Sequence, residues 1–192
     1  MRQVRLALLT LGVCFALAAP SPAAPSSAVV EKGVVYVGGL PSMVAGDSRM
    51  FLYAIDATTG AVLWGTTTGG TVYSTPTVVK GVVYVGHDGA ASLSAIDTAT
   101  GAIRWQTATG GTVYSAPTVV KGVVYVGHDG TASLSAVDAA TGQILWQDVL
   151  DGSVTSSPAV VKDSIFAVSE AGSVYAIDAS TGAIVWMTRF VP

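Results

Sequence analysis

The chain has 192 residues, 51% of them hydrophobic and only 11% charged, and its 12 acidic against 9 basic residues give a net charge of −3. A weakly acidic chain without a basic stripe does not neutralise phosphates, so nucleic-acid binding is excluded as a primary role. One cysteine, Cys14, cannot pair within the chain, which sets aside a disulfide framework and a Cys-ligated metal.

Arg2 and Arg5 precede a short uncharged apolar run, residues 6–19, and small residues and prolines follow. The run is too short to span a bilayer and has the layout of a secretory signal peptide, so residues 1–24 are expected to be removed and 25–192 to form the mature domain. Cleavage fits Ala16-Leu17-Ala18 or, later, Ala24. A lipid anchor at Cys14 is less favoured because Val13 is bulkier than such a site prefers. Cleavage would leave 7 basic and 12 acidic residues, a net charge of −5, no thiol, and no apolar run long enough for a transmembrane helix.

After this, one frame recurs four times: Ala-x-Asp-x-x-Thr-Gly-x-x-x-Trp. Its fixed positions are Ala54, Asp56, Thr59, Gly60 and Trp64; Ala95, Asp97, Thr100, Gly101 and Trp105; Ala136, Asp138, Thr141, Gly142 and Trp146; and Ala176, Asp178, Thr181, Gly182 and Trp186. Successive Trp residues lie 41, 41 and 40 positions apart, the period of a solenoid, propeller or array. The unit starting at Gly69 matches the one starting at Gly110 at 32 of 41 positions, the mark of an internal duplication.

Each unit reads as four strands. In the second unit they are TVYSTPTVV, GVVYVG, SLSAID and AIRWQT, short β-branched and aromatic runs separated by turn residues. Val82, Val83, Tyr84 and Val85 are apolar without alternation, as expected for a strand buried on both faces, and blades packed around an axis bury their strands in this way. In the recurring frame, Asp97 can accept backbone N–H groups across a turn and Gly101 can take positive φ. Trp105 then reaches a face where its indole N–H can find a neighbouring carbonyl, with Ala95 leaving room for a close neighbour. Four copies suit a framework better than one active site.

The first unit carries an insertion, GGLPSMVAGDSRM, with Pro41, Met43, Arg49 and Met50, in a loop position that often serves binding. The fourth replaces Gly-Val-Val-Tyr by Asp163, Ser164, Ile165 and Phe166, as a terminal, partly exposed blade should.

The string GVVYVG, a DG turn, A(I/V)DxxTGxxxW and then GxVxSxP resembles the pyrroloquinoline-quinone-like β-propeller repeat with its tryptophan-docking motif, over roughly residues 29–189. The resemblance implies an all-β propeller of four-stranded antiparallel blades. The family includes quinone-dependent alcohol dehydrogenases as well as cofactor-free members, among them the lipoprotein of the outer-membrane assembly machine and kinase sensor domains. In the dehydrogenases it implies a quinone and a calcium ion on the axis, held by carboxylate and Asn side chains beside a catalytic Asp and vicinal cysteines. This chain has no Asn, its recurring Asp residues are assigned to turns, and Asp88 and Asp129 sit in DG turns. No residue carries over as a quinone, calcium or catalytic ligand, so the expected cofactor set is none, with the quinone and calcium implied by resemblance alone.

Propellers of this kind usually close with seven or eight blades, whereas four are present here. A closed four-bladed ring, an open half-ring and two chains completing an eight-bladed ring all fit, with the half-ring favoured and a homodimer as the corollary. His87 and His128 are expected as exposed residues of equivalent rim turns, a candidate binding surface together with Tyr73 and Tyr114, with a shared metal the less favoured reading. Tyr73 and Tyr114, on the innermost strand, are expected in core or channel packing or lining a ligand site. The sequence thus favours a secreted, non-catalytic module binding a protein or polymer at a rim or by strand addition at an edge. A quinone-dependent dehydrogenase, or a truncated relative of one, is the alternative.

Overall fold

In the computed structural model, residues 27–41, 50–130 and 133–190 are described. The signal-peptide reading and residues 42–49 of the first unit's insertion lie outside them. Sixteen strands form four separate four-stranded antiparallel sheets, each a meander of consecutive strands. The first sheet holds β1 (Val29–Glu31), β2 (Val34–Pro41), β3 (Met50–Asp56) and β4 (Val62–Thr67). The second holds β5 (Thr77–Val79), β6 (Val82–Gly86), β7 (Leu93–Asp97) and β8 (Ile103–Thr107). The third comprises β9 (Thr118–Val120), β10 (Val123–Gly127), β11 (Leu134–Asp138) and β12 (Ile144–Asp148). The fourth comprises β13 (Ala159–Val161), β14 (Ser164–Val168), β15 (Ser173–Asp178) and β16 (Ile184–Arg189). Among the described residues no helix is long and apolar enough to cross a membrane.

The innermost strands β1, β5, β9 and β13 approach one another in that order, so the sheets are blades arranged along an arc. Between blades lie three apolar layers. Tyr84, Leu93 and Ala95 of the second blade, for example, pack on Val124, Val126 and Val137 of the third. All five residues of β6 are buried, as the unbroken apolar run predicts.

Three local features depart from the expected strands. Only Thr77–Val79 of TVYSTPTVV is a strand. Pro76 has no N–H to donate, and Ser74 replaces the ladder by accepting a bond from Gly86 N at 2.6 Å through its hydroxyl. The first unit's insertion lengthens its hairpin, with Leu40 paired to Phe51 and Pro41 to Met50. Finally, each third strand carries a register shift immediately after the fixed Ala, at Ala54, Ala95, Ala136 and Ala176. The irregularity lies at the same place in every blade, just before the turn that leads into the Trp strand.

Candidate functional site

The recurring frame forms one half of two different contacts. Within its own copy, Asp97 Oδ1 accepts from Ala99 N, Thr100 N and Thr100 Oγ1, each at 3.0 Å. Arg104 adds a 2.7 Å bond to the other oxygen. The guanidinium first, and then the Thr100 bonds, hold this carboxyl at about 2. Asp56, Asp138 and Asp178 close the same turns, and their carboxyls are likewise lowered.

The other half of the frame reaches into the next blade. Trp64 Nε1 donates to Thr98 O at 2.9 Å, Trp105 Nε1 to Ala139 O at 3.1 Å, and Trp146 Nε1 to Ala179 O at 3.1 Å. Each ring lies against the next copy's glycine: a Cβ added to Gly101, Gly142 or Gly182 would come within 2.8, 2.7 or 2.9 Å of it. The fixed Ala is paired with the Trp on one side and an aromatic residue on the other, as in Tyr84–Ala95–Trp105. Over that small side chain the Tyr84 and Trp105 rings meet at 5.9 Å. The same pairing recurs for Tyr36 with Trp64, Tyr125 with Trp146 and Phe166 with Trp186.

A hydroxyl completes the joint. Thr66 Oγ1 donates to Gly101 O at 2.6 Å and Thr107 Oγ1 to Gly142 O at 2.5 Å. At the equivalent place before the last blade stands Asp148, whose Oδ2 is buried without a hydrogen-bond partner and faces Gly182. Burial raises this carboxyl's pKa. Above the ordinary carboxylate range the folded chain must bury a charge there that the unfolded chain leaves in water. Below it both states are protonated and the cost vanishes. Asp148→Thr, which restores the repeated bond, is expected to raise stability at pH 7 by on the order of 1 kcal/mol. That gain should shrink as the pH falls towards the ordinary carboxylate range, as followed by urea denaturation at several pH values.

His87 and His128 are not the exposed rim residues that the DG turn suggests. Both are 0% exposed. Their Nε2 atoms lie 2.8 Å from Ser94 Oγ and Ser135 Oγ. Gln106 Nε2 joins this network by donating to Ser94 Oγ at 3.0 Å and to Thr68 O at 2.7 Å, and Gln147 repeats it. Burial pushes His87 down to about 4 against the opposing charge of Asp88, and lowers His128 likewise, so both are neutral at pH 7. They are buried polar links of the blades. Polar Ser and Gln inside otherwise apolar strands were the sequence signal for them.

Tyr73 and Tyr114 do not lie on the innermost strands, which begin at Thr77 and Thr118, nor in the core: they precede those strands and meet at the rim, with ring centroids 5.4 Å apart and Tyr114 40% exposed. Tyr73 Oη donates to Asp88 Oδ2 at 3.2 Å, and burial followed by the Asp88 charge raises the phenol's pKa. Asp88 and Asp129 also tie down the chain leading to the inner strand, accepting from Thr71 N and Thr112 N at 2.6 Å. One blade further on, Thr155 and Glu170 take the places of the tyrosine and the aspartate, with a 3.2 Å bond between them. Tyr114, Asp129, Ser153, Thr155 and Glu170 line an open groove of about 500 Å³ on this rim. The connection between β2 and β3, which carries the first blade's insertion, joins the equivalent pair of strands.

The quinone and calcium implied by the resemblance require a converging set of oxygen donors on the axis. Among the described residues no three His, Cys, Asp or Glu side chains gather where they could hold a metal. The Asp residues of the recurring frame are spent on their turns and both imidazoles on their serines. The described residues do not present a set that fits this cofactor pair.

The fold is shared with solved structures. A quinohemoprotein alcohol dehydrogenase of Pseudomonas putida matches at 24% identity and a TM-score of 0.72, covering 87% of this chain and 34% of its own. A quinohemoprotein alcohol dehydrogenase of Comamonas testosteroni matches at 21% identity and a TM-score of 0.69, covering 87% and 35%. The computationally designed Ika4 protein matches at 16% identity and a TM-score of 0.63, covering 83% and 93%. The chain thus spans about a third of the length of the two dehydrogenases. Among curated proteins nothing matches. The profile of one family, described as outer membrane protein assembly factor BamB, matches residues 16–91 and 52–190. By that match and by its quinoprotein-like blades, the chain belongs to the family of the outer membrane protein assembly factor BamB.

Proposed function

We propose that this chain is an exported, non-catalytic propeller-repeat module that binds a protein or polymer partner at its rim. The observation carrying this reading is the use to which each polar residue is put. The carboxylates of the recurring turns and both imidazoles are engaged inside the framework, while Tyr73, Tyr114 and Glu170, with Asp129 that also holds Thr112 N, stand together on one rim beside an open groove. Aromatic faces next to carboxylates suit a segment bearing Lys or Arg, through ring contact and charge-assisted bonds. Membership of an assembly-factor family and the signal-like first 24 residues agree with a binding role outside the cytoplasm.

The test is capture from an extracytoplasmic extract on immobilised full chain, compared with the Tyr73→Ala/Tyr114→Ala double variant. A partner retained by the parent chain and lost by a variant of unchanged melting temperature supports the reading. Alcohol-dependent dye reduction on adding pyrroloquinoline quinone and calcium would overturn it in favour of a dehydrogenase.

A further inference from the structure

We infer that the two end faces of the arc are the two halves of one joint, and that a second copy of this chain fills both. Every interior joint has an outgoing side, consisting of the Trp and an aromatic residue paired across the Ala, with a hydroxyl two positions after the Trp in the first two joints and Asp148 there in the third. Its incoming side consists of the Thr-Gly turn and the apolar residues behind it, such as Val83, Val85 and Ile96.

The last blade presents a complete outgoing side that no described blade covers. Trp186 is 46% exposed, its neighbours on β16 are open along the whole strand, and Phe166 lies over Ala176 against the Trp ring. Thr188 holds the place of Thr66 and Thr107. At the other end, the first blade presents a complete incoming side. Gly60 has the same φ as Gly101, +72°, yet no atom lies within 4 Å of where its Cβ would be. Val35, Val37 and Ile55 are half-buried, although their counterparts Val83, Val85 and Ile96 are fully buried. Val30 is 62% exposed, whereas its counterparts Val78, Val119 and Val160 in the later blades are half-buried.

These two faces lie at opposite ends of one arc and do not meet within the chain. The chemistry that fits either one is the chemistry of the other, because both are variants of the joint that the chain already forms three times. Two copies placed head to tail would close a ring with two identical joints, leaving no apolar end face in water. Trp186 Nε1 would donate to Ala57 of the partner subunit and the Thr188 hydroxyl to Gly60 of the partner subunit, as Trp64 and Thr66 do towards Thr98 and Gly101. This inference is independent of the rim reading, since it concerns only the blade faces.

The test is the solution mass of the full chain over a range of concentrations, by light scattering or sedimentation, with two single variants. The parent is expected at twice the mass of one chain, and both Trp186→Ala and Gly60→Ala at half the parent's mass. Gly60→Ala alters the opposite face, so it serves if Trp186→Ala fails to fold. A single-chain mass for the parent at every concentration, an open series of larger masses, or a dimer that survives both changes would overturn the inference.

Discussion

Trp105→Ala is expected to lower the stability of the chain by about 3–5 kcal/mol, the range for deleting a large packed aromatic side chain. Its partly buried ring packs against Tyr84 at 5.9 Å and against Gly142 of the next blade, and its N–H is bonded to Ala139 O. Removing it opens a cavity between two blades and leaves that carbonyl without its donor. Trp186→Ala, measured on dilute protein where chains do not associate, removes a half-exposed side chain and should cost markedly less. Urea denaturation of both variants checks the contrast. Equal losses at the two positions would mean that burial between blades is not what the tryptophan supplies.

Gly101→Ala should be the second most costly change, by roughly 2–4 kcal/mol from two sources. Gly101 has φ +72°, a left-handed conformation that an L side chain adopts only with strain, and the added methyl would lie 2.8 Å from the Trp64 ring. That ring is pinned by its bond to Thr98 O, so it cannot simply swing aside. At Gly60 the same substitution meets the same φ but no neighbour within 4 Å. In dilute protein Gly60→Ala should therefore show the backbone cost alone, and the difference between the two variants isolates the contact with the ring. Thermal or urea melts of the pair give that difference directly.

The fold was legible because the blade's period is printed four times. The Asp-x-x-Thr-Gly turn, the Trp N–H seeking a carbonyl and the doubly buried GVVYVG strand each follow from local chemistry, and each appears in the structure. Less legible was anything whose partner lies in another strand or blade. His87 sits next to a DG turn and reads as a surface residue, yet its burial is fixed by Ser94 and Gln106 from two neighbouring strands. The role of the fixed Ala was only half visible. Room for a neighbour was evident, but the tyrosine and tryptophan rings meeting across it depend on strand register. The shortness of the innermost strand was hidden because Ser74 and Ser115 bond the backbone in place of a ladder. The openness of the arc could be suspected from a count of four, but the exposed Trp186 and the vacant Gly60 are facts of packing.

The function was less legible than the fold for the same reason that the fold was plain. Repetition places identical side chains at every joint, and identical side chains at fixed spacing are what a framework needs. Specificity has to be carried by departures from the repeat. The rim offers such departures: Tyr73 and Tyr114 give way to Thr155, and Asp88 and Asp129 to Glu170. Asp148 is another, a carboxylate where two earlier blades place a threonine.

The central claim is that the Trp and the Gly of the recurring frame meet between copies and not within one. A pair of double-mutant cycles on the stability of the full chain tests it most directly. Trp64→Ala combined with Gly101→Ala joins residues of neighbouring copies that touch, whereas Gly101→Ala combined with Trp105→Ala joins residues of one copy that do not face each other. The account predicts a coupling of about 0.5–3 kcal/mol for the first pair and near-additivity for the second. Additive losses for Trp64 and Gly101, with strong coupling between Gly101 and Trp105, would contradict it.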